Sequence, residues 1–167
     1  MEKDSKDNFI FDTSALISIE IVGLLEELNK LVNIIITGSV IEELENFSRF
    51  DDAYGNTSKK ILKYKDKFIV KKAVISKRIQ FIENTDNELF NLALKEKLIL
   101  ITDDVKMSYH AGKHIETYFS TFFLGLFISM NILSKKEAVE KLEKLRDLRS
   151  WNNNIIYLTT KKELETL

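Results

Sequence analysis

Residues 98–104 read LILITDD, an apolar run from Leu98 to Thr102 closed by two consecutive aspartates, Asp103 and Asp104. A short apolar run bounded by polar residues is the pattern of a strand buried on both faces, as in a parallel sheet. Residues 9–14, FIFDTS, have the same form: Phe9 to Phe11 and then Asp12. Both sets of carboxylates therefore fall at strand C-terminal ends, the edge where open α/β sheets place their ligands.

Working outward from these strands, helical and strand patterns alternate. A helix is expected from Ser14 to Leu31, a strand from Asn33 to Thr37 and a helix from Ser39 to Phe47. A polar, Gly-containing stretch, FDDAYGNTSKK (50–60), leads into a basic segment, in which Ala73 to Ile75 is a candidate strand. Asn84 to Lys97 reads as a helix, with Thr85 and Glu88 forming a capping box and Leu89, Leu92 and Ala93 on one face. Such alternation implies a parallel sheet with right-handed crossovers, hence an α/β fold. At 167 residues the chain is expected to be a single domain with a catalytic core at about 8–110 and an extension at about 115–160.

In the extension, TYFSTFFLGLFISMNILS (117–134) carries no charge. Its Ser, Thr, Asn and Gly residues argue against membrane insertion, and a helix buried in the protein or at a dimer interface is expected. Ser134 and Glu137 form a second capping box, opening a helix with Val139, Leu142, Leu145 and Leu148 on one stripe. WNNNIIYL (151–158) reads as a final strand.

The chain has no cysteine, which excludes disulfides, thiolate metal sites and cysteine nucleophiles. Its charged start, MEKDSKDN, lacks the apolar core of a secretory signal, and a cytoplasmic location is the expectation. Net charge is only −1, yet residues 59–78 hold nine basic side chains against Asp66 alone. A local excess of that size is the footprint expected for a polyanion. Lys59, Lys60, Lys63, Lys71 and Lys72 are the candidate contacts to a phosphate backbone.

Four acidic positions follow in order: Asp12, the adjacent Glu42 and Glu43, Asp86, and Asp103-Asp104. Clustered carboxylates are stable together only if protonated or neutralised by a cation, and a hard divalent ion is the usual partner. Asp12 is free for such a role, since Thr13 or Ser14 could cap the following helix. Adjacent helical positions point about 100° apart, so at most one of Glu42 and Glu43 faces the site. Asp86 also suits the first turn of its helix, and the aspartate pair also suits a turn. Thr102 could orient a water or a phosphate oxygen. His110 and His114 lack the intervening Glu of a zinc HExxH motif, and no GxSxG, GxGxxG or Walker-type loop is present. A haloacid-dehalogenase site needs DxD where this chain has Ser14, and a receiver domain needs its acidic pair near the first strand.

As an ordered set these residues resemble the PIN-domain ribonuclease family. FDTSALIS is similar to the family's first strand and aspartate, and ITGSVIEELENF to its second acidic motif, whose glutamate precedes Leu and so corresponds to Glu43. TDNELFNLA resembles the aspartate seven residues before a helical alanine, here Asp86 and Ala93. LILITDD resembles the final motif, in which Asp104 and Asp103 both have a claim to the metal. The C-terminal third is similar to VapC-type and orphan archaeal or bacterial PIN proteins, without the zinc ribbon of ribosome-maturation endonucleases.

The resemblance implies a three-layer α/β/α sandwich around a central parallel sheet, with a C-terminal helical extension. It implies a Mg²⁺- or Mn²⁺-dependent endoribonuclease that hydrolyses RNA phosphodiester bonds. Asp12, Glu43, Asp86 and Asp104 would be catalytic, with Asp12, Asp86, Asp103 and Asp104 on the metal and Thr13, Ser14 and Thr102 assisting. RNA, a second copy of the chain and an antitoxin protein are the partners it implies. A catalytically inactive RNA-binding or scaffolding module is the alternative.

Overall fold

The computed structural model describes residues 6–167, so the first five residues of the charged start lie outside the described residues. The strands are β1 (Asp7–Phe11), β2 (Val32–Thr37), β3 (Ile69–Lys71), β4 (Ile99–Ile101) and β5 (Thr117–Tyr118). The helices are α1 (Thr13–Ile21), α2 (Leu25–Leu31), α3 (Gly38–Phe47), α4 (Ala53–Leu62), α5 (Asn84–Glu96), α6 (Val105–Ala111), α7 (Phe122–Ser129), α8 (Lys135–Leu148) and α9 (Ile155–Thr166). The strands pair in parallel throughout, in the order β3-β2-β1-β4-β5, and the helices cover them as an α/β/α sandwich.

The three middle strands are apolar at every central position because both faces are covered: Ile10, Phe11, Ile34, Ile35, Ile36, Leu100 and Ile101 are all buried. Phe9 and Phe11, two residues apart and so on one face, both meet the ring of Phe123 from α7, at 5.7 and 5.8 Å. From β1 the chain steps outward through β2 to β3, then returns to β4 on the other side of β1. The strand order reverses there, which opens a crevice beyond the C-terminal ends of β1 and β4. Phe11 lies opposite Ile101 in the register, so Asp12 and Thr102 leave the sheet side by side.

Five local expectations need correction. The helix expected from Ser14 to Leu31 is two helices, α1 and α2, separated at Gly23, whose φ of 69° no helix accommodates. The polar stretch 50–60 largely folds as α4, capped by Asp52, which accepts from the Gly55 N–H at 2.7 Å. The edge strand is Ile69–Lys71, whereas residues 73–75 pair with no strand. Thr85 and Glu88 make no capping box: α5 begins at Asn84, and Glu88 instead accepts a hydrogen bond from Ser39. Residues 151–158 form no strand; Asn154 caps α9 by accepting from the Ile156 N–H at 2.8 Å.

The extension packs back on the core. The uncharged segment 117–134 is divided into β5, a turn and the eight-residue α7, which buries Phe123, Leu124 and Phe127. The capping box of Ser134 and Glu137 is present, but the buried stripe of α8 is Ala138, Leu142 and Leu145, with Val139 and Leu148 exposed. Among the described residues, no helix is long and apolar enough to cross a membrane.

Two buried asparagines on α5 hold the irregular segment before it. Asn91 Oδ1 accepts from the N–H groups of Ser76 and Lys77, and its Nδ2 donates to the carbonyls of Lys77 and Asn87. Asn87 bonds in the same way to both backbone groups of Ile79. Side-chain amides replace a neighbouring strand for the backbone of residues 76–79. Asn91→Ala would remove the partner of the Ser76 and Lys77 N–H groups and of the Lys77 and Asn87 carbonyls, at about 1 kcal/mol each. It is expected to lower the thermal midpoint by at least about 4 °C, and an unchanged melt would refute this role.

Candidate active site

Asp12 follows β1 and is fixed against the end of β4. Its backbone N–H donates to the Ile101 carbonyl at 3.1 Å, extending the β1–β4 pairing by one bond. Its backbone is extended, and its Oδ1 accepts from the Ala15 N–H at 2.7 Å, so Asp12 itself is the cap of α1. Thr13 and Ser14 are not free to take that position, because their hydroxyls are bonded elsewhere. The Ser14 hydroxyl donates to the Asp12 carboxylate at 2.8 Å and accepts from the Asp103 N–H at 3.0 Å. The Thr102 hydroxyl donates to Asp12 Oδ2 at 2.5 Å and accepts from the Asp104 N–H at 3.1 Å. Each hydroxyl thus relays one amide of the aspartate turn onto the same carboxylate.

The other acids approach from separate elements. Glu43, near the middle of α3, accepts from the Thr13 hydroxyl at 2.5 Å, whereas Glu42 is exposed on the other side of that helix. Asp86 lies half-buried in the first turn of α5. Asp104 caps α6, accepting from the N–H groups of Lys106 at 2.7 Å and Met107 at 2.9 Å. Asp12, Glu43, Asp86 and Asp104 all line one cavity of about 700 Å³ at the crevice, together with Thr13 and Ser14.

Asp103 points elsewhere. Its carboxylate accepts from the Ser120 N–H at 2.8 Å and the Ser120 hydroxyl at 2.7 Å, and it does not line the cavity. Thr102 is buried beneath the site. The lysines also stand away from it: none lines the cavity, Lys59 is paired with Asp51 at 3.0 Å and Lys71 with Glu96. Lys60, Lys63 and Lys72 are exposed. His110 and His114 lie against the rings of Phe81 and Phe90.

Several lining residues went unnoticed in the sequence: Glu83, Asn46, the aromatic residues Phe47, Phe50 and Tyr54, and Arg149. Glu83 could have been found as the acid next to the start of α5. The aromatic residues and Arg149 carry no local signal, since only the folded chain brings them to the crevice.

The cavity carries an excess of acidic side chains, Asp12, Glu43, Glu83, Asp86 and Asp104 against Arg149 alone. Burial raises the pKa of Asp12 from 3.8 to about 7, against the lowering effect of its hydrogen bonds to Thr102 and Ala15. Asp86 is raised to about 6, first by burial and then by the charges of Asp104, Glu43 and Glu83, with a hydrogen bond at Glu83 opposing. Carboxylates in this condition are the donor set a hard divalent cation satisfies. No group of three or more His, Cys, Asp or Glu side chains among the described residues stands within ligating reach of one point. The carboxylates share the cavity without forming a preassembled cage.

A family model described as DUF3368, a PIN domain, matches residues 8–166. The chain belongs to the PIN-domain family. Members of the family are generally nucleases and usually use divalent metals. Among solved structures, this PIN domain is similar to a PilT N-terminus domain protein from the archaeon Sulfolobus solfataricus P2, at 17% identity and a TM-score of 0.50, over 71% of this chain and 91% of that one. It is also similar to a domain of a functionally unknown protein from Methanocaldococcus jannaschii, at 24% identity and a TM-score of 0.49, over 68% and 90% of the two chains. A third likeness is to VapBC-1 from nontypeable Haemophilus influenzae, at 16% identity and a TM-score of 0.47, over 68% and 98%. A search of curated proteins returned no match.

The raised pKa of Asp12 sets a pH dependence. The folded state holds this proton more tightly than the unfolded chain, so stability is lost as pH rises from about 4 through about 7. Each pKa unit corresponds to ~1.4 kcal/mol. In metal-free buffer, Asp12→Asn, which keeps a capping oxygen and carries no charge, is expected to melt higher than wild type. The gap should widen by roughly 5 °C or more between pH 5 and pH 8. A gap that does not depend on pH would show that Asp12 is not the group responsible.

Proposed function

We propose that this PIN-domain protein is a metal-dependent endoribonuclease, hydrolysing RNA phosphodiester bonds with Mg²⁺ or Mn²⁺. The observation carrying this reading is the convergence of Asp12, Glu43, Asp86 and Asp104, from four different elements, on one cavity at the switch of strand order. Burial raises the pKa values of Asp12 and Asp86, and at Asp86 the charges of Asp104, Glu43 and Glu83 add to it, a condition that a bound cation or protonation relieves.

The candidate ligands are Asp12, Asp86 and Asp104, with Glu43 beside them. Asp103 is left out, because its carboxylate faces Ser120 and does not line the cavity. When bound, a divalent ion lowers the pKa of water and neutralises charge on the phosphodiester. The chain's own contribution is positioning. Ser14 and Thr102 fix the orientation of Asp12, and Thr13 fixes that of Glu43. Outer hydrogen bonds of this kind set the direction in which a ligand presents its lone pairs. Asp12 and Asp86, raised to about 7 and about 6, are the acids able to hold a proton close to neutral pH, and Asp86 is the more open of the two to the cavity. The exposed lysines of α4 and the segment after it lie along the outside of the molecule as sites for the flanking RNA backbone.

The test is cleavage of varied RNAs with Mg²⁺ or Mn²⁺ by wild type, Asp12→Asn and Asp104→Asn. Either substitution should lower the rate by about 100-fold or more, beyond what loss of a supporting hydrogen bond causes. Full activity in both variants would sink the assignment, and an inert wild type that still binds RNA would favour the binding-module reading. The lysines are tested separately. Replacing Lys59, Lys60 and Lys63 with Glu should weaken RNA binding and flatten its dependence on salt, so an unaltered slope removes them from the interface.

A further inference from the structure

Arg149 is the only cation among the residues lining the cavity, and it comes from the extension, at the end of α8. Its guanidinium lies over the rings of Tyr54 and Trp151, at 5.5 and 5.6 Å from their centres. That stacking fixes the plane of the fork without using its N–H groups. Its Nε is buried and has no hydrogen-bond partner. Asp103 is near enough for the charge of Arg149 to lower its pKa, which burial otherwise raises, but the Asp103 carboxylate faces Ser120. The Arg149 Nε is closed off from solvent, so a ligand in the cavity would meet the outer N–H groups of the guanidinium, for which no protein acceptor is present among the described residues. A phosphate oxygen is the acceptor that suits a preset guanidinium beside a site for phosphodiesters.

The same side of the cavity is aromatic. Phe47 and Phe50 line it, yet Phe50 remains 60% exposed and Phe47 40%. Large apolar rings left in water at a cavity rim need a reason beyond packing. The backbone beneath them is tightly held: a Cβ on Gly55 of α4 would stand 2.0 Å from the Phe50 carbonyl oxygen, so only glycine allows this close approach. Base stacking on such rings is sequence-tolerant and contributes substantially for each base.

We propose that Arg149, Phe47 and Phe50 form a nucleotide subsite next to the carboxylates, with the guanidinium on a backbone phosphate and the rings against the adjoining unpaired base. The subsite rests on the ribonuclease reading and gives it a polarity: the strand enters over α4 and the end of α8, and reaches the carboxylates beyond Arg149. It also gives the extension a part in substrate binding, since Arg149 and Trp151 both belong to it.

The experiment measures binding of a short fluorescein-labelled single-stranded RNA, in EDTA to prevent cleavage, and of an abasic oligomer with the same backbone. The proteins are wild type, Arg149→Lys, Arg149→Met and Phe50→Leu. Phe50 is exposed, so that variant keeps the test decisive if an Arg149 variant unfolds. Both Arg149 variants should weaken binding of either oligomer by about 10-fold, the size of one charge-assisted bond. Arg149→Met should also reduce the salt slope by about one. Phe50→Leu should weaken the natural RNA by about 5-fold or more and leave the abasic oligomer unaffected. Equal binding by all four proteins, or no binding by wild type, overturns the subsite; if wild type still cleaves RNA, the ribonuclease reading survives that loss. Binding that follows the expected pattern without any cleavage upholds the subsite and removes the ribonuclease reading.

Discussion

The Asp12 carboxylate joins two stretches of chain ninety residues apart. It closes the first turn of α1, receives the hydroxyls of Ser14 and Thr102, and through them is bonded to the amides of the turn after β4. The sheet supplies the alignment, because β1 and β4 are adjacent and in register at their last residues. A charge held this firmly and this deeply is unfavourable alone, which gives the crevice its demand for a counter-ion. Helix capping and ligand presentation, opposed as alternatives in the sequence, are performed here by one side chain.

The remaining acids depend on that arrangement in different ways. Glu43 is oriented by Thr13, the residue after Asp12, so two neighbours in the chain direct carboxylates from β1 and α3 into the same space. Asp104 is held at the start of α6. Asp86 alone is placed chiefly by where α5 lies, and its pKa responds to the other acids. The donor set is thus held by hydrogen bonds on the β1–β4 side and by the placement of a helix on the α5 side.

How much of this could be read in advance follows from physical locality. β1 and β4 are legible because strands buried on both faces show unbroken apolar runs, and the carboxylates follow them within three residues. Residue spacing left Glu42 and Glu43 equivalent; resemblance chose Glu43, and the bond from Thr13 now gives that choice a geometric basis. The break at Gly23 has only a weak signal in the sequence, because a single glycine inside a helical stretch is tolerated at a cost of about 1 kcal/mol. The helix α9 was misread because IIYL has strand composition, while Asn154 before it is the better signal, a cap. The Arg149 position was not legible at all: one arginine in a polar loop has no periodicity, and its surroundings exist only after the extension docks.

Asp103 and Asp104 face opposite ways from adjacent positions. The first ties Ser120, and with it the entry to α7, to the end of β4, while the second faces the cavity. The two tasks are therefore bound to a fixed count of residues. Removing or adding one residue between Ile101 and Val105 would exchange the directions, leaving a tether in the solvent crevice and a ligand in the packed interior. Point changes there can be graded in effect, but changes of length cannot, so this turn should be far less tolerant of insertion or deletion than a surface loop of equal size.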